Sequence, residues 1–248
     1  MVSMVKSEDA MQSSKPLAEL VRLGPLGPHS CPMECAFFDG LSSGARLIGK
    51  GGPVVTFAPR QAIYTRGDPA RYWYKVVEGA VRISRLLMDG HRQVLDFALP
   101  GDTFGLKTAG THNSTAEAIG NVIVLRCPKN CVTHQLNERR EAPQRFSTML
   151  SDEVASAQDH IAMLSHHGAM MRVALFLLRF AERQGCDQRL IDLPVGREDM
   201  ADYLGLTVET VCRTLGELRN RGIIVMKGRR AIEIRNRSAL ALHAGKEC

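Results

Sequence analysis

The chain has 248 residues, a net charge of +6 and seven cysteines. Its length suits one large domain or two modest ones, and 44% apolar with 23% charged residues is the composition of an ordinary folded protein, not of a disordered or fibrous one. No apolar run reaches the roughly 18 residues of a membrane-spanning helix, and the first thirty residues lack a secretory apolar core. We therefore expect a cytoplasmic protein with no membrane partner.

The cysteines and the charge each leave several uses open. An odd number of cysteines in an unsecreted chain argues against a disulfide framework, because a reducing cytosol keeps thiols free. Metal binding, redox chemistry and plain packing stay open for them. A charge of +6 indicates a polyanionic partner only if the basic residues are concentrated in one part of the chain.

The N-terminal half divides into an arm and a β-rich segment. Residues 1–40 contain four prolines and are interpreted as a flexible arm. After it, short β-branched and aromatic stretches alternate with glycines that lie 12, 11 and 11 residues apart, at Gly67, Gly79, Gly90 and Gly101. Even spacing of strands and turns is typical of an antiparallel roll or sandwich, and Gly79 and Gly90 suit hairpin turns that need a positive φ. We predict a β-roll over residues 41–137.

A long dimerisation helix is predicted over residues 138–166. Pro143 suits its first turn, where the missing N–H is not needed. Apolar residues then follow in steps of 4, 3, 4 and 3, which is the heptad seam of a helix that pairs with a second copy. The seam residues are Leu150, Val154, Ala157, Ile161 and Leu164. The alternative is a helix whose apolar face packs on its own domain.

The C-terminal segment, residues 167–248, carries the pattern of a helix-turn-helix. An apolar helix is predicted over residues 168–184. A short helix then begins at Arg197 with acids in its first turn, a tight turn follows at Gly205, and Thr207 can cap a second helix. The core-facing residues of that second helix are Val211, Leu215 and Leu218.

The opposite face of the second helix bears side chains that can read DNA bases. Glu209 and Arg213 lie four residues apart, near the N-terminal turns that enter the major groove in this motif. Arginine can bond the O6 and N7 atoms of guanine together, and a carboxylate can accept from the N4 atom of cytosine. We predict that these two residues read bases together with Val208 and Cys212. The alternative is a surface ion pair between Glu209 and Arg213, worth only about 0.3–0.5 kcal/mol.

A basic segment follows the second helix. Between residues 219 and 237, seven basic side chains stand against one acid, Glu233, so this segment alone has a net charge of +6. Two apolar stretches, residues 223–226 and 231–234, flank a basic tip and predict a two-stranded wing. Phosphate contacts supply affinity and orientation that do not depend on base sequence. We expect them from Thr207, Thr210, Arg219, Arg221, Lys227, Arg229 and Arg230. The alternative is a solvated basic face.

Over nearly its whole length the sequence resembles the CRP/FNR superfamily of bacterial transcription regulators. The closest phrases are ADYLGLTVET at residues 201–210, YKVVEGAVR at residues 74–82 and LPGDTFG at residues 99–105. The resemblance implies an α+β fold: an N-terminal antiparallel β-roll like the cyclic-nucleotide-binding jelly roll, a long dimerisation helix and a C-terminal winged helix-turn-helix. The sequence is most similar to the FNR/FixK branch, which controls genes for low-oxygen respiration and, in rhizobia, nitrogen fixation.

This resemblance implies a homodimer that binds a TTGAT-N4-ATCAA-like palindrome in double-stranded DNA. It also implies transcription activation through contacts with RNA polymerase, with the loop around residues 88–91 as one contact surface. The family reads its half-site through a Glu, a Ser and an Arg of the recognition helix. Here Glu209 and Arg213 match, while Cys212 stands at the Ser position, and a thiol is only a weak hydrogen-bond donor.

The same resemblance raises the question of an effector. Relatives whose roll binds cyclic AMP use an acid for the ribose and an Arg for the cyclic phosphate, whereas this chain has no Arg or Lys from Thr108 to Leu125. Because a buried phosphate without a cation is strongly unfavourable, we expect no cyclic nucleotide. A family iron-sulfur cluster needs four thiolates, and Cys31, Cys35 and Cys127 make an imperfect three. We predict no cofactor; the alternatives are a cluster-binding oxygen sensor and a roll that binds another small effector.

Cys212 is also a candidate for redox control. Its neighbour Arg213 and the start of the helix at Thr207 both favour a thiolate, and oxidation would place negative charge against DNA. The alternative is that Cys212 only replaces serine sterically. A thiol-based enzyme is not expected, because the chain has no Cys-x-x-Cys pair and no evident nucleophile and base.

Overall fold

The computed structural model describes residues 54–107, 110–138, 140–165, 168–185, 189–228 and 230–245. The predicted arm, with Cys31 and Cys35, lies outside the described residues, as does Arg229. In the part that is described, the strands are β1 (Val54–Phe57), β2 (Ala62–Tyr64), β3 (Tyr72–Glu78), β4 (Val81–Leu86), β5 (Arg92–Ala98), β6 (Thr103–Phe104), β7 (Thr115–Ala118), β8 (Val122–Pro128), β9 (Leu190–Asp192), β10 (Ile224–Lys227) and β11 (Ala231–Ile234). The helices are α1 (Lys129–Glu138), α2 (Ala142–Ser165), α3 (Ala169–Gln184), α4 (Arg197–Leu204), α5 (Val208–Asn220) and α6 (Arg237–His243).

Strands β1 to β8 form a roll of two four-stranded antiparallel sheets. The strand order is β1-β8-β3-β6 in one sheet and β2-β7-β4-β5 in the other. The core of the roll includes four fully buried valines, Val76, Val81, Val122 and Val124. Gly79, in the turn between β3 and β4, has a φ of 86°, and a Cβ at this position would lie 2.4 Å from the backbone oxygen of Asn121. The predicted antiparallel β-roll is confirmed.

The sequence pattern does not predict three short strands of the roll. Strands β2, β6 and β7 have only 3, 2 and 4 residues. Strand β7 reads TAEA, and alanine and glutamate have little preference for strands. It pairs with both β2 and β4, so its conformation comes from its neighbours rather than from its own composition.

One face of the long helix α2 packs on its own chain. The ring of Phe146 stacks on Trp73 of β3, with centroids 5.3 Å apart. Further along the helix, His160 and Met163 are buried against the C-terminal half of the chain. Helix α2 therefore joins the roll to the helices that follow it.

The predicted seam lies on another face of α2. Leu150, Val154 and Ile161 are 37%, 56% and 69% exposed, which is unusual for large apolar side chains. Ala157 is also exposed, and Leu164 is half-buried. The alternative, in which this apolar seam packs on its own domain, is wrong for the four exposed residues.

Helices α3 to α6 and a three-stranded antiparallel sheet build the C-terminal unit. The sheet order is β10-β11-β9, so the predicted two-stranded wing has a third strand that the sequence pattern does not indicate. The core of this unit is continuous with the roll, because the ring of Phe97 in β5 contacts the rings of Phe176, Phe180 and Tyr203. Helix α4 is thereby packed next to the roll.

Cys127, at the end of β8, is fully buried and disulfide-bonded. It belongs to a small apolar cluster with Trp73, Val132 and Ala142. The expectation that the thiols stay free is therefore wrong for this residue. The disulfide also argues against Cys127 as a ligand of an iron-sulfur cluster, because a cluster is held by free thiolates.

Candidate nucleic-acid interface

Helices α4 and α5 are joined by a tight turn of the predicted kind. Gly205 ends α4 in the left-handed conformation, with φ 60° and ψ 43°, and its N–H donates to the carbonyl oxygen of Ala201. A glycine adopts this conformation with little strain, which is why it is favoured after a helix. The N–H of Leu206 donates to the same oxygen over 3.0 Å. The turn therefore fixes the angle between the two helices.

Thr207 caps the second helix, as predicted. Its backbone is extended, and its side-chain oxygen accepts from the backbone N–H of Thr210 over 3.2 Å. The two threonine hydroxyls are 2.9 Å apart. Both hydroxyls therefore lie at the N-terminal end of α5, where backbone N–H groups and the helix dipole favour anions.

Helix α5 has a buried face and an exposed face. Val211, Leu215 and Leu218 are buried, as expected, and the buried Thr214 hydroxyl donates to the carbonyl oxygen of Thr210 over 2.8 Å. The exposed face carries the four residues predicted to read bases: Val208, which is 41% exposed, and Glu209, Cys212 and Arg213. The structure thus brings all four to one surface.

Glu209 and Arg213 do not form the ion pair that was the alternative interpretation. Among the described residues, neither side chain has a partner of opposite charge within 4.0 Å. Both groups are exposed, so they keep their hydrogen-bonding capacity for another molecule.

The basic residues around α5 differ in whether they are paired with an acidic side chain. Arg221 is paired with Glu217 over 2.5 Å, and Lys227 with Glu233 over 3.2 Å. Arg219 and Arg230 are exposed, without an acidic partner in the described part of the chain. Lys227 ends β10 opposite Ala231, the first residue of β11, so the basic tip of the wing is where the sequence predicts it. The sequence did not indicate that Arg221 and Lys227 share their charge with neighbouring acids.

Arg197 is a further basic residue beside this surface that the sequence pattern does not single out. It begins α4, and its Nη1 atom lies 3.2 Å from the sulfur of Met200. Burial lowers the pKa of Arg197, and an electrostatic interaction with Cys212 acts in the opposite direction. Arg197 of α4 and Cys212 of α5 are therefore neighbours in space, although they are well separated in the sequence.

The roll contains a cavity of about 320 Å³ against α2, but its lining does not suit a cyclic phosphate. Its cationic residues are Lys107 and Arg179, and Arg179 already donates to Ser156 and to the hydroxyl of Tyr203. Two carboxyl groups line it as well, Asp96 and Glu153, and burial raises the pKa of both. The remaining polar lining offers too little positive charge to replace the hydration of a phosphate.

Among the described residues there is neither a metal-binding cluster nor a membrane-spanning helix. No group of three or more His, Cys, Asp or Glu side chains is placed there to hold a metal ion. None of the helices is both long and apolar enough to cross a membrane. Cys31 and Cys35, which belong to the alternative of an iron-sulfur cluster, lie outside the described residues.

Two protein families match the chain. A family described as the Crp-like helix-turn-helix domain matches residues 171–242, and the cyclic nucleotide-binding domain family matches residues 54–139. The first match contains α4, α5 and the wing, and the second contains the roll and α1. The matches therefore follow the two halves of the structure.

Several relatives match over most of the chain. The nitrogen fixation regulation protein FixK of Rhizobium meliloti is 39% identical, over 80% of this chain and 87% of that protein. FixK of Bradyrhizobium diazoefficiens is 38% identical, over 69% and 74%. The fumarate and nitrate reduction regulatory protein of Escherichia coli is 32% identical, over 75% and 76%. Among solved structures, FixK2 from Bradyrhizobium japonicum has a TM-score of 0.73 at 37% identity and covers 79% of this chain and 98% of its own.

Proposed function

Because the chain belongs to the CRP/FNR family of transcription regulators and is of the FixK/FNR type, we propose that it acts as a homodimer that binds a TTGAT-N4-ATCAA-like palindrome and activates transcription. Its relatives are named for nitrogen fixation and for fumarate and nitrate reduction. These names support the proposal that its targets are genes of low-oxygen metabolism or nitrogen fixation. Its partners would be chromosomal DNA and RNA polymerase, in the cytoplasm. The observation that carries the proposal is the exposed, unpaired state of Glu209 and Arg213 on α5.

Base reading is assigned to the exposed face of α5. In a helix-turn-helix the N-terminal turns of the second helix enter the major groove. Arg213 can bond guanine O6 and N7, Glu209 can accept from cytosine N4, and the apolar Val208 can contact a thymine methyl group. Cys212 lies on the same face, but its thiol is a weak donor and adds little to a base contact.

Phosphate contacts are assigned to the polar and basic groups around that face. Thr207 and Thr210 lie at the N-terminal end of α5. Arg219, in the last turn of α5, and Arg230, at the turn of the wing, are both exposed. Arg221 and Lys227 can contribute if DNA phosphates replace their present carboxylate partners. Arg229 belongs to the same basic tip by sequence. Such contacts supply affinity that falls as salt concentration rises.

Dimerisation is assigned to the seam on α2. Leu150, Val154, Ala157 and Ile161 form an exposed apolar stripe, and Leu164 extends it as a half-buried residue. Burying apolar surface is favourable by about 25 cal/mol per Å², so a second copy of the same helix is the natural cover for a seam with heptad spacing. A two-fold dimer would present its two recognition helices to successive major grooves, as a palindrome requires.

Polymerase contact is assigned to the turn between β4 and β5. Leu86, Leu87 and Met88 are exposed large apolar residues at this turn, next to Asp89 and His91. An exposed apolar tip with charged residues beside it is a reasonable contact surface for another protein. This surface lies on the roll and leaves α5 free for DNA.

The test is operator binding by the full-length protein and two arginine variants. Removal of a bidentate guanine contact weakens specific binding by about 1–3 kcal/mol, so we expect Arg213→Ala to lose about 5- to 150-fold affinity for the palindrome. Its affinity for unrelated DNA should change little. The matched control is Arg66→Ala, which removes one exposed arginine from the roll and should bind as the wild type does. Equal affinities of wild type and Arg213→Ala for the palindrome would overturn the proposal.

A further inference from the structure

Helix α4, which carries the recognition helix α5, is tied to the roll by a bridge of charged side chains. Asp199 of α4 accepts from Arg82 of β4 over 2.5 Å and from Arg92 of β5 over 3.0 Å. Arg92 also donates to the carboxylate of Asp202 over 2.7 Å, and the side chain of Gln93 donates to the backbone oxygen of Asp202 over 2.9 Å. Two neighbouring strands thus hold two successive turns of α4.

This bridge is shielded from water. The side chains of Asp199, Arg82 and Arg92 are 10%, 14% and 31% exposed. Arg82 is held from its other side by Glu117 of β7, over 3.0 Å, so its guanidinium cannot easily turn away. Ion pairs in such surroundings are stronger and more sensitive to geometry than those on an open surface.

An aromatic contact fixes the same helix at a second point. Tyr203 of α4 lies between the ring of Phe97 on the roll, at 5.3 Å, and the imidazole of His160 on α2, at 3.9 Å. Its hydroxyl accepts from Arg179 of α3 over 3.0 Å. The bridge and this contact together leave α4 little freedom to rotate on the roll.

We propose that Arg82 and Arg92 help to determine which DNA sites the dimer accepts, by selecting the number of base pairs between the two half-sites. Both residues belong to the roll and not to the helix-turn-helix. By fixing α4 they fix the direction of α5 relative to the dimer helix α2. The inference rests on the proposed function, since it needs a dimer that reads two half-sites.

The physical reason is the geometry of the double helix. One added base pair moves the second half-site by about 3.4 Å along the axis and about 35° around it. Two recognition helices held rigidly by their rolls can match only one spacing well. If the bridge is broken, each α5 can swing on its roll and follow a shifted half-site.

A role in stability alone would have a different effect on operator binding. It would lower the melting temperature or the fraction of active protein, and so weaken binding to every operator by the same factor. A positioning role changes the ratio between operators of different spacing. That ratio is therefore the quantity to measure.

The experiment titrates full-length protein with operators that carry identical half-sites and a spacer of four base pairs, one fewer or one more. We expect the wild type to prefer four by at least about tenfold, in line with the effect of one wrong base pair. The Arg82→Ala/Arg92→Ala double variant should reduce that ratio to within about threefold, while it still rejects operators with altered half-sites. If the double variant folds poorly, Arg92→Ala alone tests the inference, because Arg92 is the more exposed of the two arginines.

Two matched proteins complete the design. Arg85→Ala removes an arginine of the same strand whose side chain donates to the backbone oxygen of Asn113 within the roll, so it should keep the wild-type ratio. Arg92→Lys keeps a positive charge next to Asp199 and Asp202 and should keep part of the preference. A wild-type ratio in the double variant, or equal loss at all spacings, would overturn the inference. Failure of the wild type to prefer TTGAT half-sites would instead overturn the proposed function.

Discussion

The imidazole of His160 in α2 stacks on the ring of Tyr203 in α4, with ring centroids 3.9 Å apart and planes inclined by 10°. The Nε2–H of His160 donates to the backbone oxygen of Tyr203 over 2.9 Å. The residues are 43 positions apart in sequence. This contact joins the helix proposed to carry the dimer seam directly to the helix-turn-helix.

The His160 contact predicts a pH dependence of stability. Burial lowers the pKa of His160, and the charge of Arg179 adds to this effect. Below the unfolded pKa of about 6.5, the unfolded chain therefore binds a proton that the native state resists. The stabilisation present above about pH 6.5 should be lost as the pH falls from there towards the lowered native pKa.

The measurement is the melting temperature of wild type and His160→Gln at about pH 7.5 and about pH 5.5. The fall on acidification should be smaller in the variant, which has no imidazole to protonate. His112, whose pKa is also lowered by burial, is present in both proteins and cancels in the comparison. An identical fall in the two proteins would remove His160 from the explanation.

The exposed seam on α2 predicts that one charge will separate the dimer. Ile161→Glu would place a carboxylate between the two apolar helices, where desolvation is strongly unfavourable. We expect a monomer in sedimentation experiments at concentrations where the wild type is a dimer, and at least about tenfold weaker binding to the palindrome. Gln158→Glu adds the same charge at an exposed position of the same helix and serves as the control. A dimeric Ile161→Glu protein would show that another surface joins the copies.

Thr207 should have separable effects on stability and on DNA binding. Thr207→Ala removes the N-cap of α5, so we expect a loss of about 1 kcal/mol in the free energy of unfolding. Thr207→Asp restores a cap and suits the positive end of the helix, so its stability should match the wild type. Its carboxylate would repel DNA phosphates, so its operator affinity should fall clearly below that of the wild type. Wild-type affinity in Thr207→Asp would exclude a phosphate near this residue.

Cys212 should make DNA binding sensitive to peroxide. It is exposed on the base-reading face of α5, and among the described residues it is the free cysteine, whereas Cys127 is buried in a disulfide. Oxidation to a sulfinate or sulfonate would add negative charge next to DNA. Peroxide should therefore weaken operator binding by the wild type far more than by Cys212→Ser. Before oxidation, the serine variant should bind at least as tightly, because a hydroxyl is the better donor. Equal losses after peroxide would remove Cys212 from redox control.

Much of the interface could be predicted because its signals are local. The cap at Thr207, the turn at Gly205 and the 3.6-residue periodicity of α5 all involve residues within about two helical turns of each other. The basic run after α5 is equally visible in the sequence. The sequence does not show which of those basic residues are paired with acids. Arg221 pairs with Glu217 and Lys227 pairs with Glu233, and these contacts become visible only in the folded structure.

The sequence by itself determined the order of parts: a roll, a long helix with an apolar seam, and a winged helix-turn-helix with its reading residues on one face. The tertiary structure alone decided how these parts meet. Arg82 and Asp199 are 117 residues apart, and no periodicity or turn signal relates them. Strand β9, the disulfide of Cys127 and the stacking of His160 on Tyr203 are of the same kind. Local patterns report a residue's own helix or strand, whereas such contacts depend on which elements pack together, and that is settled by the free energy of the whole core.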